Sequence, residues 1–306
     1  MRSAHGRRDE PRRRGRRVLG LAVDEEDVVY WSDGGNLYRG DAGELTFLTH
    51  SETGDIQAIA VDSASLYFTL ASGRLEAMPR TGGAWSQLAA GLLVSTDRLF
   101  LFGKSFIASG TDTSGAGRVL RVDGDGSVHV LFESTYAPVS IARDDAFLYV
   151  ATSTAITRVD PETAATTTLV SDARYLQSVA VDGTRLYFFA VDPTDATRPA
   201  GVFVLPKTGG NPALFFTPAI AFSNGALAVD ASGLYVTTSV CCLEESPHEL
   251  GELWRVPADG AAQNLAGGKP GQPEPGFAFG DVVLGPRAVY WTSAAELDAG
   301  IHELCE

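Results

Sequence analysis

Short apolar runs alternate with short polar turns along the whole chain, and one arrangement recurs. An apolar stretch ends in Asp or another polar residue, a few polar positions follow, and an apolar-aromatic run begins. The copies read LAVDEEDVVYW (21–31), IAVDSASLYF (59–68), LLVSTDRLFLF (92–102) and SIARDDAFLYV (140–150). They continue as SVAVDGTRLYF (178–188), ALAVDASGLYV (226–236) and VVLGPRAVYW (282–291). Runs of this length, rich in Val, Tyr and Phe and bounded by Asp, Gly and Ser, predict β-strands. No segment shows a sustained helical period.

A second pair of strands follows each copy. Its first member reads NLYRG, RLEAMPR, RVLRVD, AITRVD, GVFVLPK, ELWRVP and GIHELCE in turn. After the first six come GDAGE, TGG, GDG, PET, TGG and ADG, turn chemistry that tight hairpins use. A last short strand ends near Leu48, Leu88, Leu131, Leu169, Phe215 and Leu265. Each unit is therefore four antiparallel strands, a to d. Equivalent aromatics (Tyr30, Tyr67, Phe100, Tyr149, Tyr187, Tyr235, Tyr290) are 37, 33, 49, 38, 48 and 55 residues apart. Four-stranded repeats of about 40–50 residues mark a β-propeller. The pattern predicts an all-β chain folded as one propeller of seven four-stranded blades over residues 18–306, with six or eight blades as the alternatives. The last unit stops after its strand c. Either it has three strands, or residues ahead of the first unit supply the fourth, although 12–17 show no strand alternation.

Charge separates the start from the rest. The net charge is −14, yet residues 1–17 hold eight arginines against Asp9 and Glu10. That segment carries +6 and residues 18–306 carry −20. The basic start is expected to be a disordered tail. It lacks the apolar core of about 7–15 residues that a secretory signal needs. An acidic body repels nucleic acid and anionic membrane surfaces, and no apolar run approaches the roughly 18 residues of a membrane span. A protein, peptide or small-molecule partner is expected, with no nucleic acid, no membrane span and a monomeric chain.

YWSD at 30–33 and YWTS at 290–293 resemble the YWTD propeller repeat, which is also found in bacterial propeller proteins. The other copies read YFTL, FLFG, YVAT, YFFA and YVTT there, and no ligand residue transfers. YWTD propellers are six-bladed, whereas the units counted here are seven. The resemblance implies an extracytoplasmic protein at the cell surface or in the periplasm, a cytoplasmic one being the alternative.

In such a fold the a–b and c–d turns share one face, and the b–c and d–a loops share the other. The recurring Asp24, Asp62, Asp144, Asp182 and Asp230 read as turn-fixing residues, since Asp bonds nearby backbone amides. DGDGS at 123–127 reads as a hairpin turn. The longer connections (103–117, 191–201, 237–251, 267–276 and 293–300) all fall on the b–c/d–a face. Binding residues concentrate on loops held by a rigid scaffold, so this is the expected functional face. Its candidates are Asp192, Asp195 and Arg198, then Glu244, Glu245, His248 and Glu249, then Glu296 and Asp298. No cofactor is required, although clustered carboxylates suit calcium or magnesium. Cys242 or Cys241 could bond Cys305, and free thiols are the alternative. No GxSxG, HExxH or P-loop occurs. The expected function is non-enzymatic binding on the b–c/d–a face. The alternative is a metal-dependent hydrolase or lyase with a lactonase-like site in the central funnel. The strand-a starts Gln57-Ala58, Val139-Ser140 and Gln177-Ser178 are small or neutral, which favours binding.

Overall fold

Every apolar run pairs antiparallel with the next one along the chain, so each sheet is a meander. The computed structural model describes residues 18–41, 44–171, 175–192, 200–218, 224–240, 250–258, 261–267, 279–293 and 300–305. Blade one holds β1 (Leu21–Val23), β2 (Val29–Asp33), β3 (Asn36–Asp41) and β4 (Glu44–His50). Blade two holds β5 (Ile56–Val61), β6 (Ser65–Leu70), β7 (Arg74–Pro79) and β8 (Ser86–Ala89). Blade three holds β9 (Ser95–Phe102), β10 (Ser105–Thr111), β11 (Gly117–Val122) and β12 (Val128–Ser134). Blade four holds β13 (Ser140–Arg143), β14 (Leu148–Ala151), β15 (Ala155–Val159) and β16 (Thr166–Ser171). Blade five holds β17 (Tyr175–Val181), β18 (Arg185–Val191), β19 (Gly201–Pro206) and β20 (Ala213–Phe216). Blade six holds β21 (Asn224–Val229), β22 (Leu234–Val240), β23 (Leu250–Val256) and β24 (Gln263–Gly267). The terminal sheet holds β25 (Phe279–Leu284), β26 (Ala288–Ser293) and β27 (Gly300–Cys305).

The expected seven four-stranded blades are thereby corrected. Six blades have four strands, and the terminal sheet has three, with no fourth strand paired to it among the described residues. Leu19 and Gly20 cannot supply one, because their backbones bond Ser32 of β2. They extend blade one instead.

A second correction concerns blade three. The sequence pattern makes 92–102 a first apolar strand, a turn and a strand b, and 103–117 a loop. In the structure Ser95–Phe102 is strand a, and strand b lies inside the supposed loop as β10. The two join through Gly103 and Lys104. The position equivalent to the repeat's tyrosine is therefore Ile107, which pairs with Arg121 as Tyr149 pairs with Arg158.

First strands lie side by side around the axis, from β1 to β5 and onward to β25, which returns to β1. Between successive sheets sits one apolar cluster. Tyr30 and Leu37 meet Phe68 and Leu70 between blades one and two. Leu75 meets Phe106 and Leu120 between two and three, and Ile107 and Val119 meet Val150 and Val159 between three and four. Ile156 meets Phe188 and Phe203 between four and five, and Phe189 meets Leu234 and Val236 between five and six. Tyr235 and Leu253 meet Val289 and Trp291 at the terminal sheet. Burying apolar side chains of this size stabilises by about 1.5–3 kcal/mol each. Inner strands are therefore largely apolar on both faces, as the sequence pattern demands.

The recurring aspartates fix the a–b turns as expected. Asp144 Oδ1 accepts from the backbone N–H of Ala146 and Phe147 at 2.9 and 2.8 Å, and the Tyr149 hydroxyl donates to Oδ2 at 2.9 Å. Asp62 with Tyr67 and Asp182 with Tyr187 repeat this, at 2.8 and 2.9 Å. Burial, then the Asp24 charge, push the Tyr30 phenol up to about 12. Cations from the next blade's c–d turn complete two of these sites. Arg80 donates to Asp24 at 2.7 Å and Lys207 to Asp144 at 2.6 Å. Burial raises the Asp144 carboxyl, but the bonds from Lys207, Ala146, Phe147 and Tyr149 outweigh it and hold the group at about 2.

The terminal sheet lacks this aspartate, having Gly285 in its place. Asp27 of blade one reaches across and takes over. Its Oδ1 accepts from the Arg287 backbone N–H at 3.2 Å, its Oδ2 from Arg287 Nε at 2.6 Å, and its carbonyl from the Tyr290 hydroxyl at 3.3 Å. A Cβ at 285 would collide with Asp27 Oδ1 and the Tyr290 ring, so a larger residue there must displace the carboxylate. Around this clasp pack Val29, Ala288 and Tyr290, with Leu21, Val23 and Trp31.

Two predictions follow from the clasp and the turn. Gly285→Ala and Asp27→Ala should each cost about 1–3 kcal/mol in urea unfolding, whereas a wild-type midpoint in either variant contradicts the clasp. Asp144 has a folded value below its unfolded one. Its stabilisation of about 2 kcal/mol is thus present above about pH 4 and lost as pH falls toward 2. Lys207→Met should flatten that acid limb of the melting curve.

Candidate functional site

Antiparallel pairing puts the b–c and d–a links on one face, and in blades one, two and four the backbone ties them together. Gly35 O accepts from Ser51 N at 2.8 Å, Gly73 O from Leu92 N at 2.9 Å, and Ser153 O from Leu176 N at 2.9 Å. Neighbouring blades are stitched just beneath. Ser32 Oγ donates to Ile56 O at 2.8 Å, and Gln57 accepts from Thr96 N at 2.8 Å while donating to Val94 O at 3.1 Å. Ser140 Oγ accepts from Val179 N at 3.2 Å, and Ser178 Oγ from Leu227 N at 3.1 Å. The small, neutral strand-a starts thus join one blade to the next.

Several inner strands also slip register here. Bulges fall at Gln57, at Asp97 and at Gln177, and another between Phe279 and Val282. A bulge re-aims the side chain it carries. Asp97 is exposed on the inner strand of blade three. Sequence reasoning missed it, because it read Asp97 as part of a turn.

Large exposed apolar side chains fall into two sets. Leu45, Phe47, Val128, Val130 and Leu214 lie on outer strands. Val94, Tyr136, Val139 and Tyr175 lie where strand d hands over to the next strand a, and so border the axis of the b–c/d–a face. Tyr136 is 72% exposed, yet its backbone is fixed. Ser134 Oγ donates to Tyr136 O at 2.6 Å, and that carbonyl lies over Gly117 so closely that no Cβ fits there.

Two carboxylates are buried in strands c. Glu76 is pushed up by burial against the lowering effect of Arg74, 3.4 Å away. Glu252 lies near the b–c end of β23, 1% exposed. Its Oε2 accepts from Trp254 Nε1 at 2.8 Å, and Oε1 has no partner among the described residues. Burial pushes its pKa up, and the Trp254 bond lowers it less.

Of the acidic loop candidates, Asp192 follows β18 and is half-buried. Asp195, Arg198, Glu244, Glu245, His248, Glu249, Glu296 and Asp298 lie outside the described residues. Cys242 does as well, and Cys305 is described only as the end of β27. Among the described residues, no three His, Cys, Asp or Glu side chains are grouped to hold a metal ion. Asp112, once blade three is corrected, heads a short hairpin in which Oδ1 accepts from Ser114 N at 2.8 Å and Ala116 N at 3.1 Å. DGDGS is a hairpin too, with Asp123 N donating to Ser127 O at 2.9 Å.

Glu252→Gln keeps an acceptor for Trp254 and removes the buried charge. The raised folded pKa means ionisation costs stability above the carboxylate's ordinary range and nothing well below it. The variant should therefore melt higher than wild type at pH 7, with the gain gone by about pH 4. Equal melting at both pH values contradicts a strained carboxylate.

No protein-family model and no curated protein matches this chain. Solved structures do. YCF48 bound to D1 peptide aligns with a TM-score of 0.65 at 10% identity, over 93% of this chain and 92% of that one. A chain of the mitotic checkpoint complex gives 0.64 at 13%, over 100% and 97%. The tricorn protease gives 0.65 at 12%, over 98% of this chain and 35% of its own. At such identities the likeness shows the fold alone, and the chain is a β-propeller.

Proposed function

We propose that this chain is a binding scaffold that holds a protein or peptide partner on its b–c/d–a face. One observation carries the reading, the unequal use of the two faces. On the a–b/c–d face, Asp24, Asp144, Arg80 and Lys207 are consumed in turn and inter-blade bonds. On the b–c/d–a face, a fixed backbone presents unspent apolar side chains at the axis. Such a surface is what interfaces use. The fold is consistent with an interaction scaffold, since one structural neighbour was solved with a peptide bound and another within a protein complex. YWSD and YWTS further support reading the repeats as YWTD-like and the setting as extracytoplasmic. Calcium or magnesium among the loop acids is an added, separable element of the proposal.

Panning a random peptide library against the chain, followed by fluorescence anisotropy on the enriched peptides, tests the face. Ser95→Trp, at the axis of the b–c/d–a face, should weaken binding at least about tenfold (about 1.4 kcal/mol). Asp145→Trp, on the opposite face, should leave it unchanged. The reverse pattern contradicts the proposal.

A further inference from the structure

We infer that the partner is a basic segment with an aromatic or aliphatic anchor, seated across blades three to five on Val94, Tyr136, Val139 and Tyr175. This rests on the binding reading above and narrows it to one sector and one ligand chemistry. Val94, Tyr136 and Val139 occupy the d–a links entering β9 and β13, and Tyr175 is the first residue of β17. Those three inner strands adjoin one another, which makes the links one continuous rim. Val94, Val139 and Tyr175 are 38%, 41% and 55% exposed, so a large part of their apolar area faces water.

The rim is built before any partner arrives. Val94 N donates to Thr111 O at 2.9 Å and Val139 N to Ala151 O at 2.8 Å, while Ser134 and Gly117 fix the Tyr136 carbonyl. An anchor on fixed backbone loses little entropy on binding. Aromatic side chains in this position carry a large share of interface energy.

Charge selects the partner's sign. Glu52 and Asp55 are exposed on the same face, on the link that enters β5 beside this sector. Two of its arginines are already engaged. Arg118 pairs with Asp112 at 2.8 Å and Glu133 at 3.1 Å, and Arg74 with Glu76 at 3.4 Å. Residues 18–306 carry −20 overall, so the field favours Lys and Arg approaching this rim and disfavours acidic segments.

The test uses three synthetic peptides on the full chain, read by anisotropy. One alternates Lys or Arg with Leu and Phe, one replaces the basic residues by Glu, and one replaces the apolar residues by Ser. The first should bind, with at least about tenfold loss in the other two and a clear weakening as salt rises. Tyr136→Ser and Tyr175→Ser should each weaken it several-fold without moving the melting temperature. Tyr136→Lys, which also adds like charge, should weaken it further. Equal binding of the Glu peptide, or indifference to all three variants, overturns the inference. If library peptides lose affinity with Ser95→Trp yet ignore the Tyr136 and Tyr175 variants, the face reading stands and this sector does not. If they ignore Ser95→Trp as well, the face reading falls first.

Discussion

A ring of sheets needs its last member to lock onto its first, and here side chains do this without a shared sheet. The terminal sheet has three strands and gains no fourth among the described residues. Closure falls to Asp27, which enters the place left by Gly285, accepts the Arg287 turn amide in place of an aspartate of the same sheet and adds a bond from the Arg287 side chain. The cluster around it is small, with Val29, Ala288 and Tyr290 fully buried. Among the described residues every other cluster between sheets holds more buried side chains, so the Asp27 bonds carry a larger share of closure at this seam.

Rigidity matters because of how the two faces divide their work. On the a–b/c–d side, aspartate, tyrosine and the next blade's arginine or lysine satisfy one another and leave little to offer. On the b–c/d–a side, Gln57, Ser140 and Ser178 spend their polar atoms on the adjoining blade. Among the described residues, Val94, Tyr136, Val139 and Tyr175 then stay exposed near the axis, on anchored backbone beside acidic positions such as Glu52 and Asp55. A partner meeting such a rim need not order it, which is the condition for useful affinity from a few side chains.

Much of this was legible in the sequence. Alternating runs and Asp- or Gly-centred turns identified the strands, because both are local physics. The turn role of Asp62, Asp144 and Asp182 could be read from the motif alone. Blade three could not, since VSTDR mimics a turn while the structure absorbs Thr96 and Asp97 into β9 through a bulge. The overlooked signal was Gly103-Lys104 between two apolar runs, itself a hairpin mark. The rim was missed for a different reason. Candidates were sought among long, acidic connections, whereas Val94, Tyr136 and Val139 sit in short links whose exposure depends on packing between blades. Asp27 as a surrogate in the terminal sheet was likewise illegible, because the contact spans nearly the whole chain.

The most direct measurement of the closed ring is native-state hydrogen exchange on the unmodified chain. Closure through Asp27 predicts that the amides of β26 and β2 exchange only by global unfolding, with the same protection as β14 and β18 at the heart of the ring. Exchange of β26 many-fold faster than β18, with β2 also released, would show a terminal sheet that opens on its own and would contradict the account.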